Sequence, residues 1–152
     1  MSTPSSQPVG PAVSLAPPLP PVGTTSVRAV LLDADGVLQF IGTPWYQALS
    51  EGGGEPFAKA LLSREGPALS GRESLRDLLE RLVVELDLAR GADELMALWR
   101  RATPDPLARR LVGELRAAGY LTVLATNQHE ERREWMRTAL DYDGLCDVDA
   151  YS

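Results

Sequence analysis

The chain has 152 residues, 44% of them hydrophobic, and a net charge of −6, which bounds it to one globular domain with room for a small subdomain and argues against a nucleic-acid or anionic-membrane surface. A single cysteine, Cys146, excludes an internal disulfide framework. No run approaches the ~20 apolar residues of a membrane span, and no basic cluster followed by an apolar core marks a secretory signal, so the default reading is a cytoplasmic protein.

Residues 1–26 are rich in Pro, Ser, Thr and Gly. Pro17-Pro18-Leu19-Pro20-Pro21 favours extended polyproline geometry and lacks backbone donors. The segment is expected to be a disordered tail. No basic residue flanks the prolines, which counts against a ligand for a proline-recognising domain.

From Val27 an apolar run, Ala29-Val30-Leu31-Leu32, stops abruptly at Asp33-Ala34-Asp35-Gly36. Such a run bounded by turn chemistry predicts a strand buried on both faces. The acids then sit just past its carboxyl end, where ligands bind in open α/β sheets. Gly36 supplies backbone freedom for a bend that aims both carboxylates at one point. Ionising one such acid raises the pKa of the other, so one can be an anionic nucleophile while the other carries a proton. A Mg²⁺ ion could also neutralise the pair. The competing readings are a solvated turn and a calcium loop. The latter needs more oxygen ligands downstream, and Val37-Leu38-Gln39-Phe40-Ile41 is largely apolar and has no acid.

Residues 39–103 read almost wholly helical. Thr43-Pro44 suggests an N-cap followed by proline in the first turn, and Gly52-Gly53-Gly54 breaks that helix before Phe57 and Leu61. Leu75, Leu78, Leu79, Leu82 and Leu86 recur at helical spacing over Glu73 to Leu86. Ala92 to Arg101 follows with Leu95, Leu98 and Trp99 on one side, and the stripes are expected to pack together as a small bundle.

Asp105-Pro106 caps the next helix, with Leu107, Leu111 and Leu115 expected on its buried face and Gly119 ending it. Tyr120 to Ala125 predicts a second buried strand, ending at Thr126-Asn127-Gln128. A charged helix runs from His129 to Leu140, with Asn127 and Glu130 at capping-box spacing. His129 is expected to be a solvated surface residue. Asp143-Gly144 turns the chain into a third strand, Cys146 to Tyr151. Strand, helical insertion, helix, strand, helix, strand is an α/β pattern with a parallel sheet of about three strands.

LLDADGVL resembles the first motif of the haloacid dehalogenase-like (HAD) superfamily, and VLATNQ resembles its second. The resemblance covers about Val27 to Ser152, and corresponds to the amino-terminal portion of the family's catalytic domain. It implies a partial parallel Rossmann-like core over 27–38 and 104–152, with a helical cap of the family's first cap class inserted over 39–103. It further implies a phosphatase-type hydrolase. Asp33 would be the nucleophile that is phosphorylated on a small phosphorylated metabolite, and Asp35 the general acid and then base. Thr126 and Asn127 would bind the substrate phosphate. Mg²⁺ would be held by Asp33 and Asp35, the latter through its backbone carbonyl. In the family's dehalogenase branch the second position is not Asp, so Asp35 argues for phosphoryl transfer.

The family's third-motif lysine and fourth-motif acids have no counterpart here. The single lysine, Lys59, falls in the cap, and Asp141, Asp143, Asp147 and Asp149 do not follow a fourth strand. An incomplete hydrolase is therefore expected. The alternatives are a non-catalytic fragment or phosphate-binding module and, from the same two aspartates, a phosphomutase. Arg64 and Arg72 are the cap residues whose chemistry suits an anion. With the strands on its far side missing, Val27 to Leu32 would be an exposed sheet edge open to self-association.

Overall fold

The computed structural model describes residues 18–152. Most of the expected tail, residues 1–17, lies outside the described residues. Its remainder, 18–26, is not free of the fold: the Val22 amide donates to the Ala118 carbonyl at 3.0 Å, and the Tyr120 hydroxyl donates to the Pro20 carbonyl at 2.7 Å. Proline lacks the amide donor but keeps its carbonyl acceptor, and that acceptor ties this stretch down.

The core is a parallel sheet in the order β1 (Ala29–Leu32), β4 (Leu121–Thr126), β5 (Val148–Tyr151). Ala29 to Leu32 pair with Leu121 to Leu124, and Val123 pairs with Val148. Helices α5 (Pro106–Ala117) and α6 (Glu130–Ala139) make the two crossovers. Both crossovers advance the sheet in one direction, so right-handed connections put both helices on one face. There Leu124, Val112, Met136, Tyr142 and Cys146 form the core cluster.

The opposite face is open. Leu31, Val123 and Val148 are in register on it, and Leu31 is 67% exposed. The strand expected to be buried on both faces is thus covered on one. β1 is also an edge of the sheet. On α5 the buried residues are Val112 and Leu115, backed by Ala108, while Leu107 and Leu111 are exposed. The helix packs on one sheet face only, so its second leucine stripe meets solvent.

The insertion is a helical layer with its own core. It comprises α1 (Trp45–Arg64), α2 (Gly66–Leu69), α3 (Leu75–Glu85), α4 (Ala92–Met96) and a 3₁₀ turn over Ala97–Arg100. Phe57, Leu61, Leu75, Leu79, Leu82 and Leu95 are fully buried at its centre. The glycine run does break α1: Gly54 has φ 86° and ψ 164°, a conformation that is strained for other residues. A Cβ on neighbouring Gly52 would come within 2.7 Å of Leu98, so that helix pair packs through the missing side chain.

Thr43 does not cap α1. Pro44 occupies that position without a side-chain cap, whereas Ser74 caps α3 by accepting the Asp77 amide at 3.0 Å. The insertion is also not helical at its ends. β2 (Gln39–Phe40) and β3 (Thr103–Pro104) form a two-residue antiparallel ribbon, and the Asp105 amide donates to the Leu38 carbonyl at 2.9 Å. Entry and exit of the cap are thereby pinned side by side.

Candidate functional site

The acids lie on a tight turn closing β1. The carbonyl of buried Ala34 accepts the amides of Val37, Leu38 and Gln39 at 3.3, 2.9 and 3.0 Å. Gly36, at φ +79°, makes the reversal and donates to the Gln39 carbonyl at 2.8 Å. Burying Ala34 turns the flanking carboxylates away from the core. Asp33 is exposed, and its Oδ1 accepts the Ala34 amide at 2.7 Å. Asp33 and Asp35 line one cavity of about 370 Å³ together with Trp45, Ala125, Thr126, Asn127 and Gln128. The structure therefore brings together the four residues read from the two motifs, at the carboxyl ends of adjacent strands.

Every side chain bonded to the Asp35 carboxylate is a donor. Arg132 Nη2 lies 2.6 Å and Gln39 Nε2 2.7 Å from Oδ1, and Gln128 Nε2 lies 3.4 Å from Oδ2. Gln39 is itself oriented by the Tyr142 hydroxyl, which donates to its Oε1 at 3.0 Å. Burial pushes that phenol up to about 12, so it stays a neutral donor.

Arg132 is 1% exposed. Burial pulls its pKa down, and Asp35 opposes that pull. Its guanidinium stacks 4.6 Å from the Trp45 ring centroid, while its Nε and Nη1 are buried without a hydrogen-bond partner. Thr126 is buried at the end of β4, and its hydroxyl accepts from Gln128 Nε2 at 3.1 Å. Asn127 is exposed, and its Oδ1 accepts from the Ser152 hydroxyl.

Asn127 is not the cap of α6. His129 holds that position, and no side chain caps it. Nor is His129 solvated: it is 3% exposed, because the helix start lies under the insertion and Trp99 meets the imidazole edge-on at 5.8 Å. Burial drives its pKa down to about 4, against the pull of Glu131 and helped by Arg132.

The two arginines singled out in the cap lie elsewhere. Arg64 is exposed in a bidentate pair with Glu85 at 2.6 and 3.0 Å. Arg72 is exposed and donates to Ser70 at 2.9 Å. Lys59 is exposed and paired with Glu55 at 3.1 Å. What the cap contributes instead is Trp45, Leu49, Leu62, Glu65, Leu69 and Trp99, which with Asp35, Asn127, Gln128 and His129 line a second cavity of about 290 Å³.

Arg132 falls in a helix that the sequence presents as charged surface, and Glu65 carries no signal of its own in the sequence. A signal for Arg132 existed. His129, Arg132, Met136 and Leu140 follow i, i+3, i+7, i+11 spacing, which places Arg132 on the inward stripe of α6.

A resident Mg²⁺ demands near-octahedral oxygen ligation. Among the described residues no group of three His, Cys, Asp or Glu converges, so the Asp33 carboxylate and the Asp35 backbone carbonyl would have to hold such an ion without a further cluster of acids. The donor set does not by itself make a magnesium site.

No protein-family model matches the sequence, and no curated protein sequence matches it. Solved structures do. A HAD-family enzyme from Bacteroides thetaiotaomicron superposes with a TM-score of 0.65 at 13% identity, over 84% of this chain and 70% of that one. The same enzyme in complex with magnesium and inorganic phosphate gives 0.64 at 14% identity, over 83% and 69%. A dehalogenase gives 0.54 at 20% identity, over 83% of this chain. The present chain spans 62% of that dehalogenase's length.

Proposed function

We propose that this chain, whose fold is that of the haloacid dehalogenase-like superfamily, carries the acid pair of a hydrolase acting on a small phosphomonoester through an aspartyl-phosphate intermediate. The observation that supports this most directly is the shared cavity. An exposed Asp33 carboxylate, a restrained Asp35 and the Thr126–Asn127 strand end all border it.

In this reading an Asp33 oxygen attacks phosphorus in line with the ester oxygen. The P–O bond to the alcohol breaks, and the departing oxygen takes a proton from Asp35. Water then attacks the phosphoryl group and returns a proton to Asp35, which releases phosphate and restores Asp33. The Thr126 hydroxyl and the Asn127 amide donate to phosphoryl oxygens. Gln39, Gln128 and Arg132 keep the Asp35 carboxyl group from rotating away from the reacting oxygens.

The bacteroidal neighbour has been seen with magnesium and phosphate, and another neighbour is a dehalogenase. Asp35 favours the first chemistry. A halide leaves without a proton, so halide displacement has no use for a second acid at the leaving group. A phosphate-binding role without turnover is the second reading. Its support is that Lys59 is paired on the exposed face of the cap and Arg132 is committed to Asp35.

The test is phosphate release from a panel of phosphomonoesters, with Asp33→Asn as the blank, and borohydride reduction of the trapped acyl phosphate. Homoserine at position 33 supports the hydrolase. Binding of inorganic phosphate without release above the blank supports the second reading. Equal release by Asp33→Asn refutes the assignment of the nucleophile.

A further inference from the structure

The cavity of about 290 Å³ between cap and core opens beside Asp35, yet the phosphoryl chemistry uses none of its cap residues. Its volume is at the low end of ligand pockets, that of a small metabolite. Two indoles wall it, Trp45 and Trp99, with ring centroids 5.9 Å apart and planes inclined by 33°. Its polar end is made from both layers: Glu65 from the C-terminal end of α1, and His129 from the start of α6.

These two groups are not a salt bridge. His129 Nε2 and Glu65 Oε2 are 3.6 Å apart, beyond hydrogen-bond distance. The imidazole nitrogen is buried without a partner, and burial holds the ring neutral at pH 7. Glu65 is thus a half-buried carboxylate facing the cavity with no cation on it. Burial raises its pKa, and no basic side chain works against that rise.

The other acid bordering the cavity, Asp35, already has Arg132 bonded to it at 2.6 Å. An unpaired buried charge is costly and is relieved by an opposite charge. The Trp45 ring already has the Arg132 and Arg101 guanidiniums over it at 4.6 and 6.0 Å, so a ligand cation would draw its further π attraction from Trp99.

We infer that this cavity binds an organic ammonium group, which pairs with Glu65 beside Trp45 and Trp99, so that the phosphomonoesters taken by the site are amino-alcohol phosphates. The second clause rests on the phosphomonoester reading above; the first does not. The phosphate would lie at Asp33 and Thr126, and the two to four carbons of a short amino alcohol would pass Asp35 and Gln128, which border both cavities. His129 Nε2 offers the ammonium or a neighbouring hydroxyl a second hydrogen-bonding group.

The test uses the full chain with ¹⁵N-labelled tryptophan. Trp45 and Trp99 report on the cavity, and Trp135, which packs on the core cluster instead, serves as an internal reference. O-phosphoethanolamine is expected to bind at least about tenfold more tightly than ethyl phosphate, which amounts to ~1.4 kcal/mol. Glu65→Gln should bring the two within about twofold of each other, and Glu65→Asp should keep a preference. An unchanged Trp135 signal shows that the variants are folded. Equal binding by the intact chain, or a preference that survives Glu65→Gln, overturns the inference.

Ethylammonium chloride and 1-propanol separate the two readings. If ethylammonium shifts the Trp45 and Trp99 indole signals in the intact chain but not in Glu65→Gln, the ammonium cavity stands even if no phosphate ester binds more tightly than the amine. That last result would count against the phosphomonoester reading alone. Equal shifts from 1-propanol would mean an apolar pocket without charge recognition, and the inference would fall.

Discussion

Acid should unfold this protein through its single histidine. His129 is 3% exposed, and its pKa falls from 6.5 to about 4 on folding. Burial is the main cause; Arg132 adds to it and Glu131 opposes it. Between those two values the unfolded chain binds a proton that the folded chain refuses, so stability is complete above about pH 6.5 and declines as pH falls toward 4. The full effect below pH 4 is on the order of 3 kcal/mol, since one pKa unit is 1.36 kcal/mol. From pH 7 to pH 5 the loss is about 2 kcal/mol.

His129→Gln keeps a polar side chain of similar reach and removes the titration. Urea unfolding at pH 7 and pH 5 should show the intact protein losing about 2 kcal/mol more than the variant over that interval. Carboxylates titrate in both proteins, so the difference isolates the histidine. With one imidazole in the chain, its proton signals can be followed by NMR without assignment. Equal losses in the two proteins, or an imidazole that titrates near 6.5, would refute the burial of His129 and with it the closed contact between cap and core.

Arg132→Met removes the cation from Asp35, whose side chain is 20% exposed; a loss of about 3 kcal/mol in urea unfolding is expected, and a loss under ~1 kcal/mol would mean that solvent already screens the pair. Ser74→Ala deletes the cap accepting the Asp77 amide and should cost about 1 kcal/mol, whereas Thr43→Ala, where no side-chain cap exists, should cost less than half of that by the same measurement. Addition of about 10 mM MgCl₂ to the free chain should move its thermal midpoint by less than ~1 °C, because tight binding to the folded state would raise it; a rise of several degrees would reveal a magnesium site among these residues. Leu31 is 67% exposed on edge strand β1, so Leu31→Lys should raise the monomer fraction in sedimentation velocity, and an intact chain that is already monomeric at high concentration would contradict this.

The parts of the fold that were readable share one property: they depend on local chemistry. Asp105-Pro106 at the start of α5 is a cap pair that acts within one turn, and the structure has Asp105 accepting the Leu107 and Ala108 amides at 2.8 and 3.3 Å. The leucines of α3 bury one stripe at helical period because each is three or four residues from the next. The acid turn was readable because an apolar strand cannot end in Asp-x-Asp-Gly without changing direction. The misreadings depend on what lies across space. Leu107 and Leu111 look as apolar as Leu115, and only the side of the sheet that α5 covers decides between them. Asn127 has capping-box spacing, but the chain turns into α6 two residues later, at His129. Arg132 sits within a run of charges, and its burial follows from the position of Asp35, 97 residues earlier.

Those long-range contacts also hold the helical insertion against the core. Beyond the ribbon of Gln39–Phe40 and Thr103–Pro104, three contacts between the two layers fall on or at the start of α6. Arg132 reaches across to Trp45 while bonded to Asp35, His129 meets Trp99, and Glu131 accepts the Arg76 amide at 3.2 Å. Two of the three pass through the indoles that wall the ammonium cavity. Opening the cap would expose the Arg132–Asp35 pair to water and weaken it, and would let His129 take up a proton. Any separation of the two layers would therefore change the restraint on Asp35 and the neutrality of His129 together. A ligand that bridges Glu65 and the acid turn must favour the layers in contact, because only then do the cap carboxylate and the core acids border adjoining cavities. Its binding should consequently lower the imidazole pKa further, and a titration of the single histidine with and without O-phosphoethanolamine would reveal this as a shift toward lower pH. An imidazole whose pKa rises on binding would mean that the ligand opens the layers instead of bridging them.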